Sequence, residues 1–353
     1  MRLLIVKLSS IGDVVHTLPA VALLKRTLPD ARISWVVERW AASILQDSPA
    51  IDELIEIDSR AWRKEPGRRS TMAEVRSAFR SLRADVEVAV DFQGLIKSGV
   101  ITWLSGAERR VGFETAELRE PVSKLFLTHQ VRTSGLGHVI RKNIALAQDV
   151  ILKLTGQTAD HPRFEFPIAI SEQDKRYVSA RVREIGQRFA IINPGGGWPT
   201  KRWPNREYSA IADYLWQAHS LPSFITYGPG EEAMASEIAS MVTTDAARPL
   251  ASTLKQFVAL ARSATIFIGG DTGPLHLAAA SGTPIVGLYG PTSALRNGPF
   301  DPRDISVGRD LWCRAGCHQR RCWHWECMRI PVEQVADAVT RRLTDRVDVQ
   351  NKD

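Results

Sequence analysis

Cysteine is scarce in this chain: there are four among 353 residues, Cys313, Cys317, Cys322 and Cys327, all in one late segment. A disulfide framework for the whole molecule is therefore excluded. Long apolar runs are also absent, and no stretch has the length and hydrophobicity to span a bilayer. The apolar run at residues 1–6 is cut short by Lys7 and then Asp13, so it does not read as a secretory leader. A cytoplasmic protein is expected, with attachment to a membrane surface left open. Chemical signatures are missing as well. The first loop, residues 7–13, is not Gly-x-Gly-x-x-Gly, which argues against a nicotinamide site. There is no Walker A sequence, no His-Glu-x-x-His, no Gly-x-Ser-x-Gly and no Asp-x-Asp pair. Any diphosphate would have to be held by amides, lysines and helix termini.

Apolar residues make up 44% and charged residues 24%, ordinary globular proportions that exclude wholesale disorder. At roughly 150 residues per domain, the length suggests about two domains. Lys plus Arg is 46 and Asp plus Glu is 39, a net charge of +7. That excess suits phosphates or an anionic membrane surface and does not by itself point to nucleic acid.

Strand-like apolar runs occur at residues 3–6, 33–37, 54–57 and 86–91, with helical stretches between them. This alternation predicts an α/β domain with a mostly parallel sheet. The first helix carries Val14, Val15, Leu18, Ala22 and Leu23 near one face, and Pro19 is its weak point because it removes a backbone hydrogen bond. The pattern restarts at 189–193 and continues at 224–227, 265–268 and 284–289, each run ending in a glycine-bearing loop. Ligands of open α/β sheets bind beyond the carboxyl ends of the strands. Proline and charge density rise between His161 and Asp174, which places the boundary there and gives domains 1–170 and 171–353, with a cleft expected between them.

The sharpest local signal is Gly269-Gly270-Asp271-Thr272-Gly273-Pro274-Leu275-His276. Two glycines end a strand, Asp271 or Thr272 can cap, and a helix follows whose first amides can hold a diphosphate. The Asp271 carboxylate would not itself touch phosphate, since like charges repel. An ordinary capped helix is the plainer alternative, and His276 reads equally well as a packed helical histidine. Lys201, Arg202 and Trp203 follow the glycine loop 195–197, where a cation suits a phosphate or simply forms a solvated basic turn. Glu231, after Gly228-Pro229-Gly230, can accept from a ribose hydroxyl or serve as a helix-start acid.

Asp13 opens the first helix, and from a cleft it can orient and deprotonate a hydroxyl nucleophile. Helix capping is its simpler role. Gly12 would let the chain turn there. Arg60, Trp62, Arg63 and Lys64 form a basic cluster in which Trp62 offers a stacking surface, and Lys97, Arg119, Arg132, Arg141 and Lys142 add positive charge. Asp91 and Gln93 mark another strand-to-loop transition, the floor of an acceptor site or a structural turn. The cysteines, spaced Cys-x3-Cys-x4-Cys-x4-Cys with His318 and His324 inside, lack the short Cys-x2-Cys pair usual at zinc, so reduced thiols are the favoured reading.

In combination these segments resemble a known family. Val6-Lys7-Leu8-Ser9-Ser10-Ile11-Gly12-Asp13-Val14-Val15-His16-Thr17-Leu18-Pro19-Ala20 is similar to the opening of the ADP-heptose transferases of glycosyltransferase family 9, and within them of the lipopolysaccharide heptosyltransferase I group. Arg60-Ala61-Trp62-Arg63-Lys64 resembles the acceptor-side basic segment of that group. Asp91-Phe92-Gln93-Gly94-Leu95-Ile96-Lys97-Ser98 and Arg119-Glu120-Pro121 resemble further first-domain motifs, and Lys201-Arg202-Trp203-Pro204 and residues 269–276 the donor-side motifs. The likeness runs to about residue 330.

The resemblance implies a GT-B fold: two facing Rossmann-like domains with an interdomain cleft, the first for a lipid acceptor and the second for a nucleotide sugar. It implies ADP-heptose as donor, the inner Kdo of Kdo2-lipid A as acceptor, and transfer to the Kdo O5 with inversion, without metal or cofactor. It also implies a monomer at the cytoplasmic face of the inner membrane, touching its anionic surface, with no nucleic-acid partner. Carried over, Asp13 is the general base, with Ser10 and Gly12 in the same acceptor loop. Lys201 contacts the donor phosphate and helps stabilise leaving ADP. Glu231 matches the ribose contact, with Glu232 adjacent. Asp271 orients the donor, Thr272 and Gly273 lie at its diphosphate, and His276 completes the motif. Arg60, Arg63, Lys64, Gln93 and Arg119 hold the acidic acceptor. Two departures stand out. Residues 195–200 lack the adjacent hydroxyl residues of some first transferases, leaving Thr200 or amides to serve, and the cysteine cluster is more like second transferases. The competing readings are transfer to an already heptosylated core and a nonenzymatic basic module that binds phosphate or anionic lipid.

Overall fold

Each half of the chain builds one six-stranded sheet in which the paired strands all run parallel. The structure is a computed structural model that describes the chain except for Pro66, Ala84, residues 160–163, 314–316, His318 and 351–353; at 345–350 it describes the helical backbone alone. Contacts divide the chain into unit 1, Met1–Ala169, and unit 2, Ile170–Asp353. Part of the expected boundary segment, residues 160–163, lies outside the described residues.

Unit 1 contains β1 (Arg2–Val6), β2 (Arg32–Glu38), β3 (Glu53–Ile57), β4 (Val88–Asp91), β5 (Arg109–Phe113) and β6 (His129–Val131), in the order β3-β2-β1-β4-β5-β6. Unit 2 contains β7 (Ala190–Asn193), β8 (Ser223–Tyr227), β9 (Ala247–Ala251), β10 (Ile266–Gly270), β11 (Ile285–Leu288) and β12 (Ile305–Val307), in the order β12-β11-β10-β7-β8-β9. Counted from its own first strand, each sheet runs 3-2-1-4-5-6, the Rossmann order. The winding reverses between the first and fourth strands, so a crevice opens beyond the carboxyl ends of β1 and β4 in unit 1, and of β7 and β10 in unit 2.

The central strands are apolar except at their ends, because helices cover both faces of a parallel sheet. Leu3, Leu4, Ile5 and Val6 are fully buried, as are Ala190, Ile191 and Ile192. The apolar runs anticipated these strands. They did not anticipate β5, which opens on two arginines, the three-residue strands β6 and β12, or β9, whose Pro249 is tolerated at a sheet edge.

The helix Ile11–Thr27 is buried continuously from Val14 to Leu24, so it is enclosed rather than one-faced. Pro19 lies inside it and cannot donate to the Val15 carbonyl. The neighbouring helix Val139–Thr155 supports the weakened turn: the Asn143 side-chain amide donates to the His16 carbonyl at 2.9 Å and to Thr17 Oγ1 at 3.3 Å. Gly12 is buried in the first helical turn and does not provide a chain reversal, contrary to the expectation for it. Among the described residues, no helix is long and apolar enough to cross a membrane.

Candidate active site

Unit 1 gathers polar groups where β1 and β4 end. Asp13 is the third residue of its helix, and its Oδ2 accepts from the Ser10 amide at 2.8 Å and the Ser10 hydroxyl at 2.9 Å. This is the side-chain-to-cap half of a capping box. The Asp13 side chain nevertheless remains 39% exposed, while Lys7, with 5% of its side chain exposed, places Nζ 3.8 Å from Asp13 Oδ1. Lys7 also donates to the Phe92 carbonyl at 2.7 Å. A buried ammonium thus sits beneath an accessible carboxylate.

Gln93 braces this loop. Its Oε1 accepts from the Leu8 and Ser9 amides at 3.1 and 3.3 Å. Asp91 is buried and accepts from the Gln93 and Gly94 amides at 2.8 and 3.1 Å and from the Ser98 hydroxyl at 2.9 Å. Burial pushes the Asp91 carboxyl up, although these hydrogen bonds and Lys7 oppose the shift. Asp91 is therefore the anchor of a turn. Gly94 has φ of +70°, which favours glycine, and an added Cβ would stand 3.2 Å from a Leu118 methyl that would have to shift. The Arg119 segment packs here as well, with the Glu120 amide donating to the Gly94 carbonyl at 3.1 Å.

The structure thus assembles Ser10, Asp13, Gln93 and the Arg119 segment around one strand junction. Arg60, Arg63 and Lys64 are exposed on the helix Ser59–Lys64, which follows the edge strand β3. That helix is tied to β2 by Glu38, which accepts from the Ser59 amide and hydroxyl and from Lys97. Arg60 lies 6.0 Å from the Trp40 ring, and Arg63 donates to the Ser59 carbonyl at 3.1 Å. Trp62 is not the open stacking surface expected. It is half-buried against the apolar cluster of the unit, with its indole N–H 3.4 Å from Glu74 Oε2, because it supplies the inward face of this short helix.

In unit 2 the loops after β7, β8 and β10 converge. Asp271, only 3% exposed, takes Lys201 Nζ on Oδ2 at 2.8 Å, and its Oδ1 lies 3.1 Å from His276 Nε2. Lys201 also donates to the Asp271 carbonyl at 2.9 Å. Burial acting alone would raise the Asp271 carboxyl, but the hydrogen bonds and charges of His276 and Lys201 outweigh it and hold the group well below the usual carboxylate range. Asp271 is thus a fixed anion that positions a lysine and a histidine. The structure takes His276 beyond simple packing: it is buried and bound to that anion.

Thr272 is the N-cap of the helix Gly273–Ala280, and its buried Oγ1 has no hydrogen-bond partner among the described residues. The first amides of that helix precede its internal ladder, and Pro274 contributes none. The glycine loops permit close approach. An added Cβ on Gly270 would stand 2.8 Å from the Lys201 carbonyl, and one on Gly196 3.1 Å from the Thr272 methyl. Glu231 clamps two of the loops, accepting from the Gly196 amide at 3.0 Å and the Gly228 amide at 3.1 Å, while Glu232 is exposed in the following helical turn.

Other residues of the donor-side motif prove structural. Arg202 donates from Nε and Nη2 to the Gly196 carbonyl at 2.9 and 2.8 Å, so it pins the loop rather than standing as a solvated cation. Thr200 is buried and donates to the Gln319 carbonyl at 2.7 Å, so its hydroxyl proton is committed within the protein. Sequence reasoning gave no role to Lys7 or Tyr289. Tyr289 is buried, and burial together with the charges of Asp271 and Asp304 pushes its phenol well above its ordinary range. The signal available for Lys7 was a lone lysine directly after the apolar run at residues 3–6.

The four cysteines are free thiols. His324 lies between two of them, 3.8 Å from Cys313 Sγ and 3.6 Å from Cys322 Sγ. Among the described residues, no group of three or more His, Cys, Asp or Glu side chains is arranged to hold a metal; His318 lies outside them.

Two parallel Rossmann-ordered sheets flanked by helices define a GT-B glycosyltransferase architecture. The chain matches the structure of E. coli heptosyltransferase WaaC with ADP-2-deoxy-2-fluoro heptose at a TM-score of 0.74 and 24% identity, covering 98% of this chain and 100% of that one. It matches E. coli ADP-heptose lipopolysaccharide heptosyltransferase II equally well, at a TM-score of 0.74 and 22% identity, covering 98% and 99%. Residues 75–324 match glycosyltransferase family 9 (heptosyltransferase), and the chain belongs to that family. It is similar to lipopolysaccharide heptosyltransferase 1 of Pseudomonas aeruginosa, 28% identical over 323 residues that span 91% of this chain and 87% of that protein.

Proposed function

We propose that the protein transfers L-glycero-D-manno-heptose, with inversion, from ADP-heptose to the inner Kdo of Kdo2-lipid A. In this reading residues 1–170 take the acceptor and 171–353 the donor. The observation that carries it is the pairing of two unlike carboxylates: an accessible Asp13 at the first switch point, and a buried Asp271 holding Lys201 and His276 at the second. The similarity to the Pseudomonas aeruginosa lipopolysaccharide heptosyltransferase 1 supports heptosyl transfer to lipopolysaccharide.

Asp13 takes the proton as the acceptor oxygen attacks the anomeric carbon. The new C–O bond forms on the face opposite the breaking bond to diphosphate, which inverts the centre. Ser10 holds Asp13 Oδ2 from one side, leaving the exposed part of the carboxylate to meet the acceptor. ADP departs with its oxygen charge developing against Lys201 and the amides at Thr272 and Gly273. The Thr272 hydroxyl, buried without a partner, is the donor group placed to meet a diphosphate oxygen. Glu231 meets the ribose, Asp271 and His276 keep Lys201 in place, and Arg60, Arg63, Lys64 and Arg119 hold the acidic acceptor, with Gly12 and Gln93 shaping its loop. The chemistry is metal- and cofactor-independent. The protein works as a monomer at the cytoplasmic face of the inner membrane.

ADP release and product mass, measured with ADP-heptose and either Kdo2-lipid A or a heptosylated core, test this reading. One heptose added to Kdo2-lipid A is expected. Addition to the heptosylated core alone would assign the second transfer instead, a reading the equal likeness to the heptosyltransferase II structure keeps in view. Binding without ADP release would indicate a nonenzymatic module.

A further inference from the structure

In unit 1 the helix Ile96–Leu104 packs against the 3-10 segment Pro121–Phe126. The seam closes at Gly99, where an added Cβ would stand 2.7 Å from the Phe126 ring. Large apolar side chains on both elements are turned out of the core: Ile96 is 42% exposed, Trp103 55%, Val122 56% and Leu125 74%. Ile96 and Trp103 are seven residues apart and share a helix face, adjacent to the one Gly99 presents to the seam. Val122 and Leu125 are three apart in a 3-10 segment and share its face. Two exposed apolar pairs thus lie on elements packed directly against each other, unlike isolated surface residues.

The charges beside the patch are net positive, since the exposed Arg119 and Lys124 outnumber Glu120. Arg119 and Lys124 are exposed on the same segment. The neighbouring Glu120 carboxylate accepts from the Ile96 amide at 2.7 Å, and Lys97 is paired with Glu38. The patch also adjoins the candidate acceptor loop, through the 3.1 Å bond from the Glu120 amide to the Gly94 carbonyl.

We propose that this patch docks on an anionic lipid bilayer, with Ile96, Trp103, Val122 and Leu125 entering the headgroup region and Arg119 and Lys124 lying against its negative charge. The inference rests on the lipid-linked acceptor proposed above and assigns the surface that delivers the acceptor loop to it. An indole with its apolar body and polar N–H suits such an interface. Each cation near an anionic surface gains about fivefold in partitioning. Two copies of this face would bring two net-positive surfaces together, which favours an anionic partner over self-association.

Co-sedimentation of the full chain with phosphatidylcholine vesicles, with and without phosphatidylglycerol, tests the proposal. The wild type is expected to pellet with phosphatidylglycerol vesicles and to be released by salt. The double variant Val122→Asp/Leu125→Asp should lose about tenfold or more in partitioning, and Lys124→Glu at least about fivefold. Both should keep the wild-type melting temperature and wild-type ADP release on detergent-dispersed acceptor. Wild-type protein that ignores anionic vesicles, or a double variant that pellets normally, would overturn docking. A wild-type dimer dispersed by the double variant would overturn it in favour of self-association. If docking fails while detergent-dispersed Kdo2-lipid A is still glycosylated, only this inference falls. If vesicle binding behaves as expected but no heptose acceptor is used, docking stands and the proposed reaction falls.

Discussion

The two sheets share a strand order, and each switch point holds an aspartate with a lysine, yet the two pairs are buried in opposite senses. At the first, Lys7 is buried and Asp13 keeps 39% of its side chain in contact with solvent. At the second, Asp271 is buried and Lys201, with its Nζ on the carboxylate, is the more accessible partner. Topology brings an acid and a base to the same place in each unit, and burial decides which of them faces solvent. An accessible carboxylate can exchange a proton with an acceptor. A buried one held far below its ordinary range cannot, and serves instead to aim a cation.

Substitutions at the second switch point should break this contrast most severely. Asp271→Asn leaves Lys201 and His276 without their anion in a buried site, and chemical denaturation should show a loss of about 3–5 kcal/mol. The pH dependence has a defined sign. Because the folded-state value of Asp271 is depressed, its contribution is fully present above the ordinary carboxylate range and is lost as pH falls toward the folded value. The stability gap between wild type and Asp271→Asn should therefore be constant from neutral pH to about pH 5 and narrow below about pH 4.

Lys201→Ala should lower kcat by about 10²–10³-fold in steady-state ADP release, the usual cost of removing one donor to a developing negative charge. Glu231→Gln should raise donor KM by about tenfold with a small change in kcat, since charged hydrogen bonds to the Gly196 and Gly228 amides weaken. The smallest effect sharpens the comparison in a different way. Thr200→Val should cost about 1 kcal/mol of stability in denaturant melts, through its bond to the Gln319 carbonyl, and leave donor KM unchanged. A rise in donor KM there would mean that Thr200 also serves the phosphate.

The legibility of the molecule followed the range of the interactions. Buried parallel strands such as Ile5 in β1 and Ile268 in β10 are continuous apolar runs, and local reading found them. Strands held by their neighbours, such as β9 with its proline and β5 with its leading arginines, carry no such run. Among the residues of the candidate site, Asp13, Lys201, Glu231 and the 269–276 motif stand out in the sequence because glycines and caps mark strand-to-helix turns. Their partners were not. Lys7 bonds Phe92 across 85 residues, Thr200 bonds Gln319 across 119, and nothing in the local spacing announces either. Trp62 looked like a ligand platform because a short basic helix hides which of its faces is inward.

The central claim is that Asp13 alone of the two aspartates takes the proton. The most direct test is kcat for Asp13→Asn at saturating ADP-heptose and Kdo2-lipid A, beside its ADP affinity and unfolding midpoint. We predict a fall of about 10²–10⁴-fold in kcat, with ADP binding and stability close to wild type. Retained turnover would contradict the assignment of Asp13 as base, and loss of ADP binding or folding in step with turnover would contradict its separation from the donor site.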